Sequence, residues 1–225
     1  VGTKKKLRRF EESKSFDNYF QPTYPEVIAG FPLKGKWNTD YFKNKNPICL
    51  ELGCGKGEYT IALARKYPDR NFVGIDIKGA RTWRGCKTAI EENLQNVAFI
   101  RSWVELLEHF FAPKEVAEIW ITHPDPQPRQ SKAKKRLTSP QFLRRYAKIL
   151  QKNAIIHLKT DDTDLFEYTL EVVQENKAEI LFQTADLYAK NPEKEDVMLT
   201  QTFYEKQFLA EGKTIKYLRF KPNFD

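Results

Sequence analysis

Residues 48–59 read ICLELGCGKGEY, and their reading decides the fold. Ile48 to Leu52 form a short apolar run interrupted by a single acid, Glu51. Gly53, Gly55 and Gly57 then break the run, and an apolar pattern at helical spacing resumes towards Tyr67. Strand, glycine turn and helix in that order open a βαβ unit. Glycines let the backbone turn sharply and let a ligand lie against it with no Cβ in the way. The next apolar run, NFVGID, ends on Asp76, 19 residues beyond Gly57. At that distance a following strand delivers a carboxylate to a ribose. Loop and acid both fall at the carboxyl ends of strands, where open α/β sheets bind ligands.

Working outward, β-branched runs alternate with helical patterns, which predicts a mainly parallel sheet. Strands are expected at Ile48 to Gly53, Asn71 to Asp76, Val97 to Arg101, Glu118 to His123 and Ala154 to Thr160. Helices are expected at Gly57 to Tyr67, Ala80 to Asn93, Trp103 to Phe111 and Gln141 to Leu150, with another capped by Asp161 or Asp162 and reaching Glu175. Ser139 and Pro140 supply an oxygen cap and a first-turn proline for the fourth of these. Glu179 to Tyr188 and Lys213 to Lys221 read as late strands around a helix at Phe203 to Ala210, an antiparallel edge to the sheet. Residues 1–46 have no clear period and read as a basic, partly disordered amino-terminal extension to one domain spanning 47–225.

The net charge is +8, and it is not evenly spread. Between Asp125 and Asp161 there is no acid, while Arg129, Lys132, Lys134, Lys135, Arg136, Arg144, Arg145, Lys148, Lys152 and Lys159 contribute +10, leaving the remainder at −2. Localised positive charge is the footprint of a polyanion partner, because each neutralised phosphate releases counterions. A second cluster, from Lys4 to Lys14, lies at the amino terminus. Its residues VGTKKKLRRF are followed by no apolar stretch, so neither a signal peptide nor a membrane anchor is expected. Three cysteines without zinc-type spacing point to reduced thiols in the cytoplasm. His109, His123 and His157 are too scattered for a metal site. Cys54 has no evident His partner and reads as small filler in the loop; Trp83, Trp103 and Trp120 read as core or cofactor-pocket packing rather than an RNA stacking platform. The chain is compatible with a monomer or a homodimer.

The glycine spacing selects among nucleotide cofactors. A dinucleotide site calls for GxGxxG and a phosphate loop for GxxxxGK followed by Ser or Thr, whereas GCGKG has neither form. An acidic loop suits S-adenosylmethionine, which has no phosphate and carries a sulfonium and an amino group. The pattern resembles motif I of class I methyltransferases, and Asp76 resembles their ribose-binding acid.

After the fourth expected strand comes ITHPDPQPRQSKAKKRLTSP, Ile121 to Pro140. Asp125 stands between Pro124 and Pro126, so its backbone is stiff and its carboxylate is held at the mouth of the strand. The run PDPQPRQSKAKKRLTSPQFL resembles the PDPWPK…KRRL signature of bacterial tRNA (guanine-N7)-methyltransferases, which act on a guanosine in the tRNA variable loop. The likeness extends from about Ile48 to Phe220 and includes HLKTDD near Asp161 and TFYEKQFLAEG near the end. It implies a Rossmann-like class I methyltransferase fold, helices on both faces of the sheet, S-adenosylmethionine as cofactor and tRNA as partner. It also implies a cofactor site at Glu51, Gly53, Gly55, Gly57, Asp76, Trp103 and Asp125, with Asp125 the catalytic residue. Arg129, Asp161, Thr202, Phe203, Tyr204 and Glu205 fall where that family contacts substrate. Four positions depart from the pattern: Gln127 replaces a tryptophan, Arg129 a lysine, His123 an aromatic and Trp103 an aspartate. Two other readings stay open: methylation of an exocyclic adenine amine, and RNA binding on the same fold without catalysis.

Overall fold

A computed structural model describes residues 3–189 and 200–223. The chain divides into two compact units, residues 1–112 and 113–225. The first contains helix α1 (Thr3–Glu12), strand β1 (Tyr19–Phe20), α2 (Tyr24–Ala29), β2 (Ile48–Leu52), α3 (Glu58–Lys66), β3 (Asn71–Ile75), α4 (Gly79–Glu91), β4 (Val97–Ile100) and α5 (Leu107–Phe110). Its strands lie in the order β1-β4-β3-β2 and all neighbours are parallel. Every residue of β2, β3 and β4 is buried, which is why these segments read as continuous apolar runs rather than alternating ones.

The second unit contains β5 (Val116–Thr122), α6 (Pro140–Ala147), β6 (Leu150–Thr160), α7 (Thr163–Glu175), β7 (Glu179–Thr184), α8 (Phe203–Ala210) and β8 (Lys216–Lys221). β5 and β6 are parallel, and β8 lies between β6 and β7, antiparallel to both. The expected antiparallel strand is therefore present, but the outermost position belongs to β7. The predicted caps hold: Ser139 Oγ accepts from Phe142 N, and Asp162, not Asp161, accepts from Leu165 N at the start of α7.

Residues 3–46 differ from the expectation of partial disorder. Helix α1 is fastened to α4 by Glu12, which accepts from Trp83 Nε1 at 3.0 Å and Lys87 Nζ at 2.5 Å. Strand β1 extends the parallel order beyond β4, with Arg101 N donating to Phe20 O at 2.8 Å. Trp37 is wholly buried; its ring stacks on Phe111 at 5.6 Å, meets Phe20 edge-on at 5.3 Å, and donates from Nε1 to Phe110 O at 2.9 Å. Aromatic residues spaced without a period make a core because the chain that carries them wraps irregularly, so periodicity was the wrong signal to seek. Replacing Trp37 by Ala removes this centre and should lower unfolding free energy by about 3–5 kcal/mol, read from the urea midpoint. An appended arm would leave the midpoint where it was.

Candidate functional site

In the first unit the glycine loop is pinned to β3 by backbone and by carboxylate. Ile75 O accepts from both Gly53 N at 2.8 Å and Cys54 N at 3.1 Å. Asp76 then uses its two oxygens separately: Oδ2 accepts from Gly55 N at 2.9 Å and Oδ1 from Lys78 N at 2.6 Å. The acid expected to meet a ribose thus also holds the loop and the β3–α4 connection in one geometry. Gly57 has φ +71°, and a Cβ there would stand 2.7 Å from the Phe99 ring, so both its conformation and its contact demand glycine. Gly55, at φ +57°, has no atom within 4 Å of where a Cβ would lie, which leaves an open face on the loop.

Glu51 is 3% exposed, and its Oε2 accepts from Thr60 N at 2.7 Å and from the Thr60 hydroxyl. A carboxylate at the first turn of α3 also meets the positive end of the helix dipole. Cys54 is buried, and that burial pushes its thiol well above the ordinary cysteine range, so it stays protonated and fills space.

Beyond Asp76 a cavity of about 440 Å³ opens among Phe10, Ile77, Gly79, Arg101 and Trp103. Trp103 is 58% exposed there, while Trp120 is buried and stacks on His157 at 3.7 Å. The cavity brings Trp103 next to the residues that follow Asp76. Its α1 wall, with Lys6, Arg9 and Phe10, had no signal in the sequence beyond a run of basic residues. Lys78, Arg81 and Arg101 add further cations, and among the described residues no acid lines the cavity.

In the second unit Asp125 is exposed on the loop after β5, and its Oδ1 accepts from Gln127 N at 3.1 Å. Gln127 has φ +49°, a left-handed conformation that a non-glycine residue keeps only when its surroundings hold it. Arg136 supplies that hold: Nε lies 3.2 Å from Pro126 O, Nη2 3.3 Å from Gln127 O, and the guanidinium sits 4.3 Å from the Tyr168 ring. It is 6% exposed. Lys159 is fully buried, so two of the cations counted towards a polyanion surface face inward. Arg129, Lys132, Lys134, Lys135, Arg144, Lys148 and Lys152 remain exposed.

Asp161, at the end of β6, meets His123 and two lysines. Its Oδ1 is 3.4 Å from His123 Nδ1, its Oδ2 3.3 Å from Lys213 Nζ, and its main-chain oxygen accepts from Lys216 Nζ at 3.0 Å. Glu205 is fully buried, paired with Lys159 Nζ at 2.8 Å and accepting from Tyr188 Oη at 2.6 Å, with His123 Nε2 at 3.4 Å. Burial pushes the carboxyls of Asp161 and Glu205 up, but His123 and the lysines outweigh it and hold both below the usual carboxylate range. Thr202 caps α8 by accepting from Glu205 N at 3.3 Å, while Phe203 and Tyr204 are 48% and 40% exposed. Of the expected substrate residues, Asp161 and Glu205 thus share one network, Thr202 joins it through the cap, and Arg129, Phe203 and Tyr204 present side chains to solvent. Among the described residues no group of His, Cys, Asp and Glu could hold a metal ion, and no helix is long and apolar enough to cross a membrane.

Known proteins match this chain over most of its length. The model of a family described as putative methyltransferase matches residues 45–218. A tRNA (guanine-N(7)-)-methyltransferase of Christiangramia forsetii is 54% identical, with 98% of this chain and 99% of that protein covered. One of Porphyromonas gingivalis is 49% identical over 92% of this chain and 85% of its own. Among solved structures, the 16S rRNA methyltransferase KamB superposes with a TM-score of 0.61 at 17% identity, covering 82% of this chain and 92% of its own, a likeness of fold. With a Rossmann-like arrangement of strands, a glycine loop tied to a strand-end carboxylate and near-complete alignment to such relatives, the chain belongs to the tRNA (guanine-N7)-methyltransferase family.

Proposed function

We propose that the chain transfers a methyl group from S-adenosylmethionine to N7 of a guanosine in the tRNA variable loop, in the cytoplasm. The observation that carries the cofactor assignment is the loop itself: Gly55 keeps an open face and is bonded to Asp76, and the residues that follow Asp76, from Ile77 to Arg81, line a cavity together with Trp103. A neutral adenosine moiety suits that cavity, since the cations around it would repel the sulfonium end. Bound there, the cofactor supplies an electrophilic methyl group. Asp76 would hold the ribose, Trp103 would cover the adenine by stacking in place of a carboxylate bond, and Gly53, Gly55 and Gly57 would let the backbone approach. Glu51 acts from behind the loop by fixing the start of α3, besides any charge it lends to the amino group.

Guanine N7 has an in-plane lone pair and no proton to lose, so the chain needs no general base. Placement is most of the catalysis. Positive charge grows on the purine as the bond forms, and a carboxylate beside the ring stabilises it; this role falls to Asp125, which the proline-flanked loop presents outward. Asp161 would read the donor edge of the same base. Arg129 and the exposed lysines from Lys132 to Lys135 would grip phosphates, Arg129 bidentately. Phe203 and Tyr204 offer exposed faces for contact with the RNA, and Thr202 and Glu205 set the helix that carries them. Gln127, after the two prolines, contributes its main-chain oxygen to Arg136 Nη2 at 3.3 Å and so helps to hold the loop that carries Asp125.

Incubation with unmodified tRNA and labelled S-adenosylmethionine, followed by nucleoside mass spectrometry, should yield 7-methylguanosine from the variable loop. The Asp125→Ala variant should bind cofactor normally yet lose turnover. Methyladenosine, or no product with cofactor bound, would sink the assignment. The basic segment separates into two roles. Changing Lys132, Lys134 and Lys135 together to Ala should keep the fold and lower the salt slope of tRNA binding by roughly 2, given about 0.7–0.9 per phosphate contact. Arg136→Ala should instead cost about 2 kcal/mol of stability, through its lost charged hydrogen bonds, with little change in that slope. An equal slope change for both variants would contradict this division.

A further inference from the structure

His123 is the residue whose chemistry the proposed reaction leaves unused. It follows β5 in a left-handed conformation, φ +46°, and its side chain is 7% exposed. Such backbone strain in a bulky residue persists only where surrounding contacts over-determine it. Its amide donates to Lys159 O at 2.7 Å, which continues the pairing of β5 with β6. The ring then reaches two carboxylates from two different elements: Nδ1 meets Asp161 Oδ1 beyond β6, and Nε2 stands 3.4 Å from Glu205 Oε2 on α8. The second is a charge contact rather than an aligned hydrogen bond. Phe208 of α8 packs against the ring at 5.5 Å.

We propose that His123, as an imidazolium bridging Glu205 and Asp161, is the positioning residue that holds the Asp161 carboxylate in place for the target guanine. The inference rests on the reading of Asp161 as a guanine contact. A neutral imidazole carries one N–H and serves one carboxylate; the imidazolium carries two and serves both. The charges facing it decide which form prevails. Glu205 on α8 is already paired with Lys159 of β6 and accepts from Tyr188, and Asp161 is shared with Lys213 and Lys216 ahead of and within β8. Burial opposes the charged ring, yet the two carboxylates outweigh both that cost and the repulsion of Lys159, leaving the imidazole above its ordinary value. Glu205 is the fixed end of the bridge, being fully buried and held also by Lys159, Tyr188 and the Thr202 amide. Asp161 is the end to be positioned, since it is 17% exposed and its other oxygen meets the half-exposed Lys213. A group whose value is raised on folding bridges fully at low pH and releases as pH rises through that raised value.

The test uses the full-length protein, tRNA kinetics from about pH 6 to about pH 9, around the ordinary imidazole value of ~6.5, and NMR of the three histidine rings. The wild-type KM for tRNA should rise roughly tenfold on passing the His123 titration, the scale of one charged hydrogen bond, while the Kd for S-adenosylmethionine stays flat. His123→Gln, which can donate to Asp161 but cannot titrate, should remove that rise. In NMR the His123 resonance should titrate above the ordinary imidazole value, and Asp161→Asn should lower it; this readout needs no turnover and serves if the Gln variant folds poorly. A KM for tRNA unchanged in Asp161→Asn would overturn the guanine-contact reading. A KM raised in Asp161→Asn, with a wild-type pH profile retained in His123→Gln, would overturn the positioning role alone, as would a His123 titration indifferent to Asp161→Asn.

Discussion

The carboxylate of Asp76 accepts one backbone hydrogen bond on each oxygen, from Gly55 and from Lys78, and the shape of the cofactor loop depends on that pair. The glycines permit several loop conformations; the carboxylate selects one. Because charged hydrogen bonds to backbone amides are stronger than neutral ones, the selection holds without a ligand present. The parallel pairing of β2 with β3 brings Leu52 opposite Ile75, which sets the distance over which Asp76 must reach. Behind the loop, Glu51 does for α3 what Asp76 does for the loop: an anion takes the free amide at a helix start.

The second unit applies the same device with the charges reversed. Here buried cations hold irregular segments that carry carboxylates. Arg136 binds the carbonyls of Pro126 and Gln127, and so fixes the turn on which Asp125 stands. Lys159 neutralises Glu205, and Glu205 with Thr202 caps the helix that carries Phe203 and Tyr204. Neither cation could be replaced by a shorter polar residue without leaving buried acceptors unsatisfied, and each unmet group costs about 1–3 kcal/mol.

Much of this architecture was legible in the sequence because it follows local rules. The strands from Ile48 to Leu52 and from Asn71 to Ile75 are short, mainly apolar runs, and the caps at Ser139 and Asp162 are set by a single oxygen each. The glycine loop and Asp76 were legible from spacing. Other features depend on contacts distant in sequence and left no local mark. Trp37 and Phe111 find each other across an irregular segment. Arg136 counted as one more surface cation until the carbonyls of Pro126 and Gln127 gave it a partner, and Lys159 likewise until Glu205 did. His123 was visible only as a departure from a family pattern; the two carboxylates that explain it lie 38 residues away at Asp161 and on α8.

A loop organised by one carboxylate before its ligand arrives is the central claim, and calorimetry of S-adenosylmethionine binding tests it most directly. Asp76→Asn keeps the size of the side chain but replaces one acceptor by a donor, so one of the two amides at Gly55 and Lys78 must lose its partner. The account predicts a cofactor affinity weakened at least ~10-fold, about 1.4 kcal/mol, with far-ultraviolet circular dichroism unchanged. Wild-type affinity in that variant would contradict it.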